Sequence, residues 1–219
     1  MFTQIVLFLF ALSFTLAAAP LHVGTARIDI TPTEPIRLNG YGNRSQPSEG
    51  VEQKLWTKAL AMGKEQPAVL ITADVIGIPK WLTDRVAAAL RKSHGLEPGQ
   101  LAICATHTHT GPTIKGVLED IFMADIPPAH MAVIDRYAIR LEKKLIQVAR
   151  TALDQRQAGN LAWGVGTADF AINRRVLRNG KWTGFGETPD GPVDHSLPLM
   201  RITDAKGKRV FVQPGDDQG

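Results

Sequence analysis

Ala68-Val69-Leu70-Ile71-Thr72-Ala73-Asp74-Val75, then Lys80 to Ser93, then Leu101-Ala102-Ile103-Cys104-Ala105 is the stretch whose reading decides the fold. The outer two pieces are apolar runs of strand length. Between them Leu82, Val86, Ala89 and Leu90 recur at helical spacing, and Gly95 and Pro98 close the helix. Strand, helix, strand in that order implies a crossover unit in a layered α/β arrangement. Working outward, Leu55 to Met62 reads as a further strand, joined to Ala68–Val75 as a hairpin through the polar turn Gly63-Lys64-Glu65-Gln66-Pro67. Val23 to Ile30 alternates as a first strand, and Pro32, Pro35, Gly40 and Gly42 mark a turning segment after it. The longest helix is expected from Pro128 to Arg156, where Met131, Ile134, Tyr137, Ala138, Leu141, Leu145, Val148 and Leu153 form one apolar stripe that belongs to the core. Asn160–Thr167 and Leu197–Ile202 supply two more strands. The glycine-rich Asn179–Asp194 between them is expected as a long loop, whose Trp182 and Phe185 either contact a lipid tail or cover the core. The expected fold is therefore α/β, a layered mixed sheet with packed helices, built as one domain over residues 20–219.

Composition narrows the function classes. A hydrophobic content of 44% with 21% charged residues is ordinary for a globular protein and excludes a disordered chain. The formal charge is +4 and the pI near 9.3, but the basic residues are spread along the chain, with Lys143-Lys144 and Arg174-Arg175 the densest pairs. No arginine-rich arm or aromatic-interleaved basic patch stands out, so nucleic acid is not an expected partner. A basic surface does favour contact with an anionic membrane or lipid aggregate. The apolar run Ile5–Leu16 followed by Ala17-Ala18-Ala19 reads as a secretory signal peptide over residues 1–19, hence a secreted or periplasmic protein. The run falls short of the about 20 apolar residues of a comfortable span, although an uncleaved anchor is the alternative reading. Cys104 is the only cysteine, so no intrachain disulfide forms; inside its apolar strand it is expected as a small buried hydrophobe rather than a nucleophile. GxGxxG, P-loop, GxSxG and HExxH patterns are all missing from the chain.

Chemistry concentrates at Ala105-Thr106-His107-Thr108-His109-Thr110-Gly111-Pro112, directly after the Leu101–Ala105 strand. If strand alternation continues, His107 and His109 project from the same side, and Gly111-Pro112 turns the backbone away. Neutral imidazoles are good zinc ligands, so the pair reads either as two ligands, as one ligand beside a proton shuttle, or as two surface histidines at a strand end. Asp74, at the end of an adjacent strand, is either a carboxylate that orients His107 or a strand-end cap.

The phrase Ala-Thr-His-Thr-His-Thr-Gly-Pro resembles the signature of the neutral and alkaline non-lysosomal ceramidases, from which it departs at Thr110. Val23-Gly24-Thr25-Ala26-Arg27-Ile28-Asp29-Ile30-Thr31-Pro32 resembles the family's opening strand, and Asn39-Gly40-Tyr41-Gly42 its first glycine turn. Ala171-Ile172-Asn173-Arg174 resembles its Asn-x-Asn-Arg segment, with Ala171 in place of the first Asn. The resemblance runs from Val23 to Asp204 and covers the N-terminal part of the family's catalytic domain.

The resemblance implies a zinc-dependent amidohydrolase acting on ceramide or a related lipid amide. His107 would be a zinc ligand, with His109 beside the metal handling protons or holding substrate, and Arg174 would stabilise the developing oxyanion. Read without the resemblance, Arg174 is a surface salt-bridge residue. Zinc would polarise the amide carbonyl and lower the pKa of its bound water toward about 7. The family draws its remaining ligands, a histidine, a glutamate and a tyrosine, from segments downstream of the matching region. The resemblance thus leaves one ion with only His107 of its ligand set and implies an incomplete catalytic domain. His195 is the nearest substitute, but it precedes the last matching strand. A non-catalytic metal- or lipid-binding form of the fold, or a hydrolase of another amide, are the alternatives.

Overall fold

The computed structural model describes residues 21–122 and 126–209. The expected signal peptide, and the closing segment Val210 to Gly219, lie outside the described residues. The elements follow in the order β1 (Leu21–Asp29), β2 (Trp56–Met62), β3 (Ala68–Ala73), α1 (Lys80–His94), β4 (Leu101–Ala105), α2 (Glu119–Phe122), α3 (Pro128–Asp154), β5 (Gln157–Thr167), β6 (Asn173–Arg178), β7 (Lys181–Thr188) and β8 (Ser196–Asp204). Six strands form one mixed sheet in the order β4-β3-β2-β1-β5-β8, and β6 and β7 form a separate two-stranded sheet. The crossover β3–α1–β4 is present, with β3 and β4 parallel from Val69 opposite Leu101 to Ala73 opposite Ala105. The β2–β3 hairpin pairs Thr57 with Ala73 and Met62 with Ala68.

Period-two alternation decides which side of the sheet is buried. Ala59, Ala61, Val69, Ile71 and Ala73 lie in one buried cluster with Leu82, Val86 and Leu90 of α1 and Ile134, Leu141, Leu145 and Val148 of α3. Gly24 lets α3 reach β1: a Cβ built there would lie 2.1 Å from the Ala152 carbonyl oxygen, so only glycine fits. The Tyr137 hydroxyl donates to the Ile30 carbonyl at 3.0 Å. Burial holds that hydroxyl above its ordinary value, so it stays protonated as the donor. α1 ends at Gly95 in the left-handed region at φ 66°, with its N–H on the Arg91 carbonyl. On the opposite face a smaller cluster of Val23, Leu60 and Ile202 is closed over by Leu21, Met62 and Leu161.

Two expectations are corrected here. Cys104 is exposed, not buried. β4 is the edge strand of the sheet and the buried cluster lies on the face that Ile103 and Ala105 join, so the Cys104 side chain stands on the other. Half of the expected loop Asn179–Asp194 is strand, Lys181–Thr188 of β7. Asn179 and Gly180, at φ 52° and 73°, form the tight turn of the β6–β7 hairpin. Asn-Gly takes positive φ at both central positions more readily than other dipeptides, and this outweighs the glycine content of its surroundings. Trp182 and Phe185 therefore sit on β7 with their rings 5.6 Å apart, at 57% and 79% exposure, and do not cover the core.

Candidate functional site

The residues after β4 leave the strand, and two separate segments clamp them. On one side the end of β3 holds His107: the Thr106 and His107 N–H groups donate to the carbonyls of Ala73 and Val75, each at 3.0 Å. His107 takes φ 60°, so strand alternation does not continue through it and is not what brings the two imidazoles together. On the other side, the turn after β1 holds His109. The Arg44 guanidinium donates to the carbonyls of His109 and Asn39, Asn39 N–H donates to the Gly111 carbonyl at 3.0 Å, and Thr113 N–H to the Arg37 carbonyl at 2.8 Å. Arg37, itself buried, ties the turn through the carbonyls of Arg44 and Ser45. Ile36, Val75, Ile76 and Ile114 are buried among the core residues beneath these segments.

Three rings result in a row. His107 and His109 meet edge to face with centroids 5.0 Å apart, and Tyr41 meets His109 in the same way at 5.3 Å. Gly40 makes the approach possible: at φ +107° it occupies backbone space that favours glycine, and a Cβ there would lie 2.6 Å from the His109 Cβ. Arg44 lies over the Tyr41 ring at 4.7 Å.

The proton inventory of His107 follows from its partner. Its Nδ1 lies 2.8 Å from the Ile76 carbonyl oxygen, which only accepts, so Nδ1 carries the hydrogen and the neutral ring presents its lone pair at Nε2. A carbonyl on the remote nitrogen is the usual support of a ligating histidine. His109 makes no hydrogen bond through either ring nitrogen among the described residues. Asp74 does not orient His107. Its carboxylate accepts from Trp56 N–H at 2.8 Å and caps β2, the second of its two readings.

The remaining predicted residues make no hydrogen bond, ion pair or ring contact with His107 or His109 among the described residues. Arg174 is exposed on β6 and makes no hydrogen bond or ion pair through its side chain among the described residues. His195 is exposed before β8, its Nδ1 3.1 Å from the Ala168 carbonyl. Among the described residues, no group of three or more His, Cys, Asp or Glu side chains gathers as a metal cage. A catalytic zinc takes about three protein ligands, so this donor set fits one ligand position and does not close the site. Sequence reasoning missed Arg44. Its one signal was position, two residues beyond the Asn39-Gly40-Tyr41-Gly42 turn.

Fold and site together define a mixed-sheet α/β scaffold with two contacting histidines at the C-terminal end of a parallel strand pair. The chain belongs to the neutral/alkaline non-lysosomal ceramidase family, whose N-terminal model matches residues 21–175. Among solved structures it is similar to the neutral ceramidase from Pseudomonas aeruginosa, at TM-score 0.66 and 20% identity, over 87% of this chain and 30% of that one. It is similar also to a ceramidase solved in complex with C2, at TM-score 0.65 and 20% identity, with the same coverage of both chains. These likenesses establish the shared fold. The chain spans about 30% of the length of those ceramidases.

Proposed function

We propose that this chain carries the histidine-bearing part of a zinc-dependent ceramidase, an amidohydrolase that splits the ceramide amide into a sphingoid base and a fatty acid. The observation that carries the reading is the fixed tautomer of His107, whose Nδ1–H is held by the Ile76 carbonyl while Nε2 is left as a ligand atom. Family membership supports the substrate class. His107 would lend one nitrogen to the metal, and among the described residues it stands in no group of three or more His, Cys, Asp or Glu side chains. His109, 5.0 Å from His107 between ring centroids, handles protons or holds substrate. The Arg174 guanidinium, unpaired among the described residues, is available for the developing oxyanion. Export by the Ile5–Leu16 segment is part of the same proposal. The open donor set favours a second reading, a non-catalytic metal- or lipid-binding form of the fold.

Zinc content and fatty-acid release from ceramide, measured on the purified chain and on His107→Ala, separate these. Equimolar zinc with release that disappears in His107→Ala supports the enzyme. Zinc that depends on His107 without turnover supports the binding form. Turnover that survives His107→Ala overturns the assignment of His107.

A further inference from the structure

Exposed apolar side chains lie on β5 and β8, at Trp163, Val165, Leu197, Leu199 and Met200, and on the β6–β7 hairpin, but β5 and β8 carry only Arg201 and Asp204 as charges, whereas the hairpin combines its apolar side chains with four cations. Register places Leu177 opposite Trp182 and Arg175 opposite Phe185, and directly opposed residues share a face. The edge-to-face contact of Trp182 with Phe185 puts both pairs on the same side. Leu177, Trp182 and Phe185 are 58%, 57% and 79% exposed, so one face of a two-stranded ribbon presents an aliphatic and two aromatic side chains to solvent. Against them stand Arg174, Arg175, Arg178 and Lys181, with Glu187 the only acid on either strand. None of the four cations forms an ion pair or hydrogen bond through its side chain among the described residues. Arg178 and Lys181 flank the Asn179-Gly180 turn, so the charge reaches the tip.

Exposed aromatics are costly in water but suited to the boundary between headgroups and acyl chains, where a ring finds an apolar side and a wet side. Basic residues beside them are drawn to anionic headgroups and hold the rings at that depth. A protein partner would bury the apolar face equally well, but it would leave the unpaired cations at the tip without a stated counter-charge.

We propose that the β6–β7 hairpin is a membrane-surface anchor that seats Trp182, Phe185 and Leu177 in an anionic lipid interface, with Arg178 and Lys181 on the headgroups. The inference rests on the ceramidase reading for its biological sense, since a substrate with two hydrocarbon chains resides in a membrane. Its test does not depend on turnover.

Sedimentation of the purified chain with vesicles provides that test. Vesicles of phosphatidylcholine alone are compared with vesicles of phosphatidylcholine and phosphatidylglycerol in equal parts. The chain is expected to bind the anionic vesicles, to release them as salt rises, and to bind neutral ones weakly. Arg178→Glu with Lys181→Glu should weaken partitioning by more than roughly tenfold. Trp182→Ala with Phe185→Ala should weaken it by roughly tenfold while blue-shifted Trp emission on binding is lost. Trp163→Ala, on the exposed stretch of β5, is the control expected to bind as the parent does. Loss of binding in the control as much as in the hairpin variants, or undiminished binding in the hairpin variants, overturns the proposal. So does self-association of the chain in gel filtration that the hairpin substitutions abolish, because the ribbon would then be a protein interface. Vesicle binding that falls in the hairpin variants keeps the anchor whether or not the chain turns over ceramide, so the two readings fail separately.

Discussion

The β3–α1–β4 unit and the β6–β7 hairpin are both regular local structures, yet they hold their functional side chains in opposite ways. The first has α1 and α3 packed beneath it, and the segments after it are gripped by backbone donors and acceptors from two distant parts of the chain. His107 and His109 consequently have set backbone geometry, and His107 a single tautomer. The hairpin is a two-stranded sheet with exposed side chains on β6 and β7, and Arg174 stands on it without a partner among the described residues. Two motif residues of similar legibility thus differ in what the fold does for them. A packed layer fixes direction, whereas an isolated ribbon fixes only sequence position.

Substitutions can break this comparison. Leu145, wholly buried in α3 under the sheet, should lose about 2–5 kcal/mol of stability as Leu145→Ala, from lost transfer energy and a residual cavity. Leu177→Ala on the hairpin should change it by less than about 0.5 kcal/mol. Chemical denaturation reads both, and equal losses would mean that the hairpin is as well packed as the core. Gly40→Ala should cost about 2 kcal/mol, since it combines a left-handed backbone with a clash against His109. Gly42→Ala meets nothing within 4 Å and should be nearly neutral. Histidine proton resonances sharpen the result: in Gly40→Ala His109 should shift more than His107, because Gly40 touches His109 directly and reaches His107 only through the contact between the two rings.

The smallest effect concerns the rim of the packed half. Glu34, between β1 and β2, pairs with Arg136 at 2.7 Å and Arg140 at 3.3 Å on α3. The Arg136 hydrogen bond, against an opposing desolvation and helped by Arg140, holds its carboxyl below the ordinary 4.5. A depressed carboxyl contributes stability that is complete above pH 4.5 and is lost as pH falls through the lower folded-state value. Glu34→Gln should therefore lower the neutral plateau slightly, flatten that part of the acid limb and converge on the parent curve at its acid end in a stability-versus-pH series. An unaltered limb would show that the ion pairs are too exposed to matter.

Much of the fold was legible because its signals are local. The apolar alternation of β2 and β3, the stripe from Ile134 to Leu153 and the Gly95 stop each depend on a few neighbouring residues. The β6–β7 hairpin was legible too, in Asn179-Gly180, but four glycines within Gly180–Gly191 weighed the segment toward a loop. Cys104 was misjudged for a different reason. An apolar strand reads the same whether it lies in the middle of a sheet or at its edge, and only strand order shows that β4 has an open side.

The sequence by itself determined the strand–helix–strand unit, the long helix and the presence of two imidazoles one residue apart, together with the family they belong to. Tertiary structure alone decided that His107 donates to a carbonyl 31 positions away, that Arg44 reaches His109 across 65, and that Asp74 caps a strand instead of orienting a histidine. The division has a physical cause. Periodicity and turn chemistry act between neighbours along the chain, whereas tautomer, exposure and ring orientation are set by groups that meet only after the sheet has formed and the loops have closed over its end.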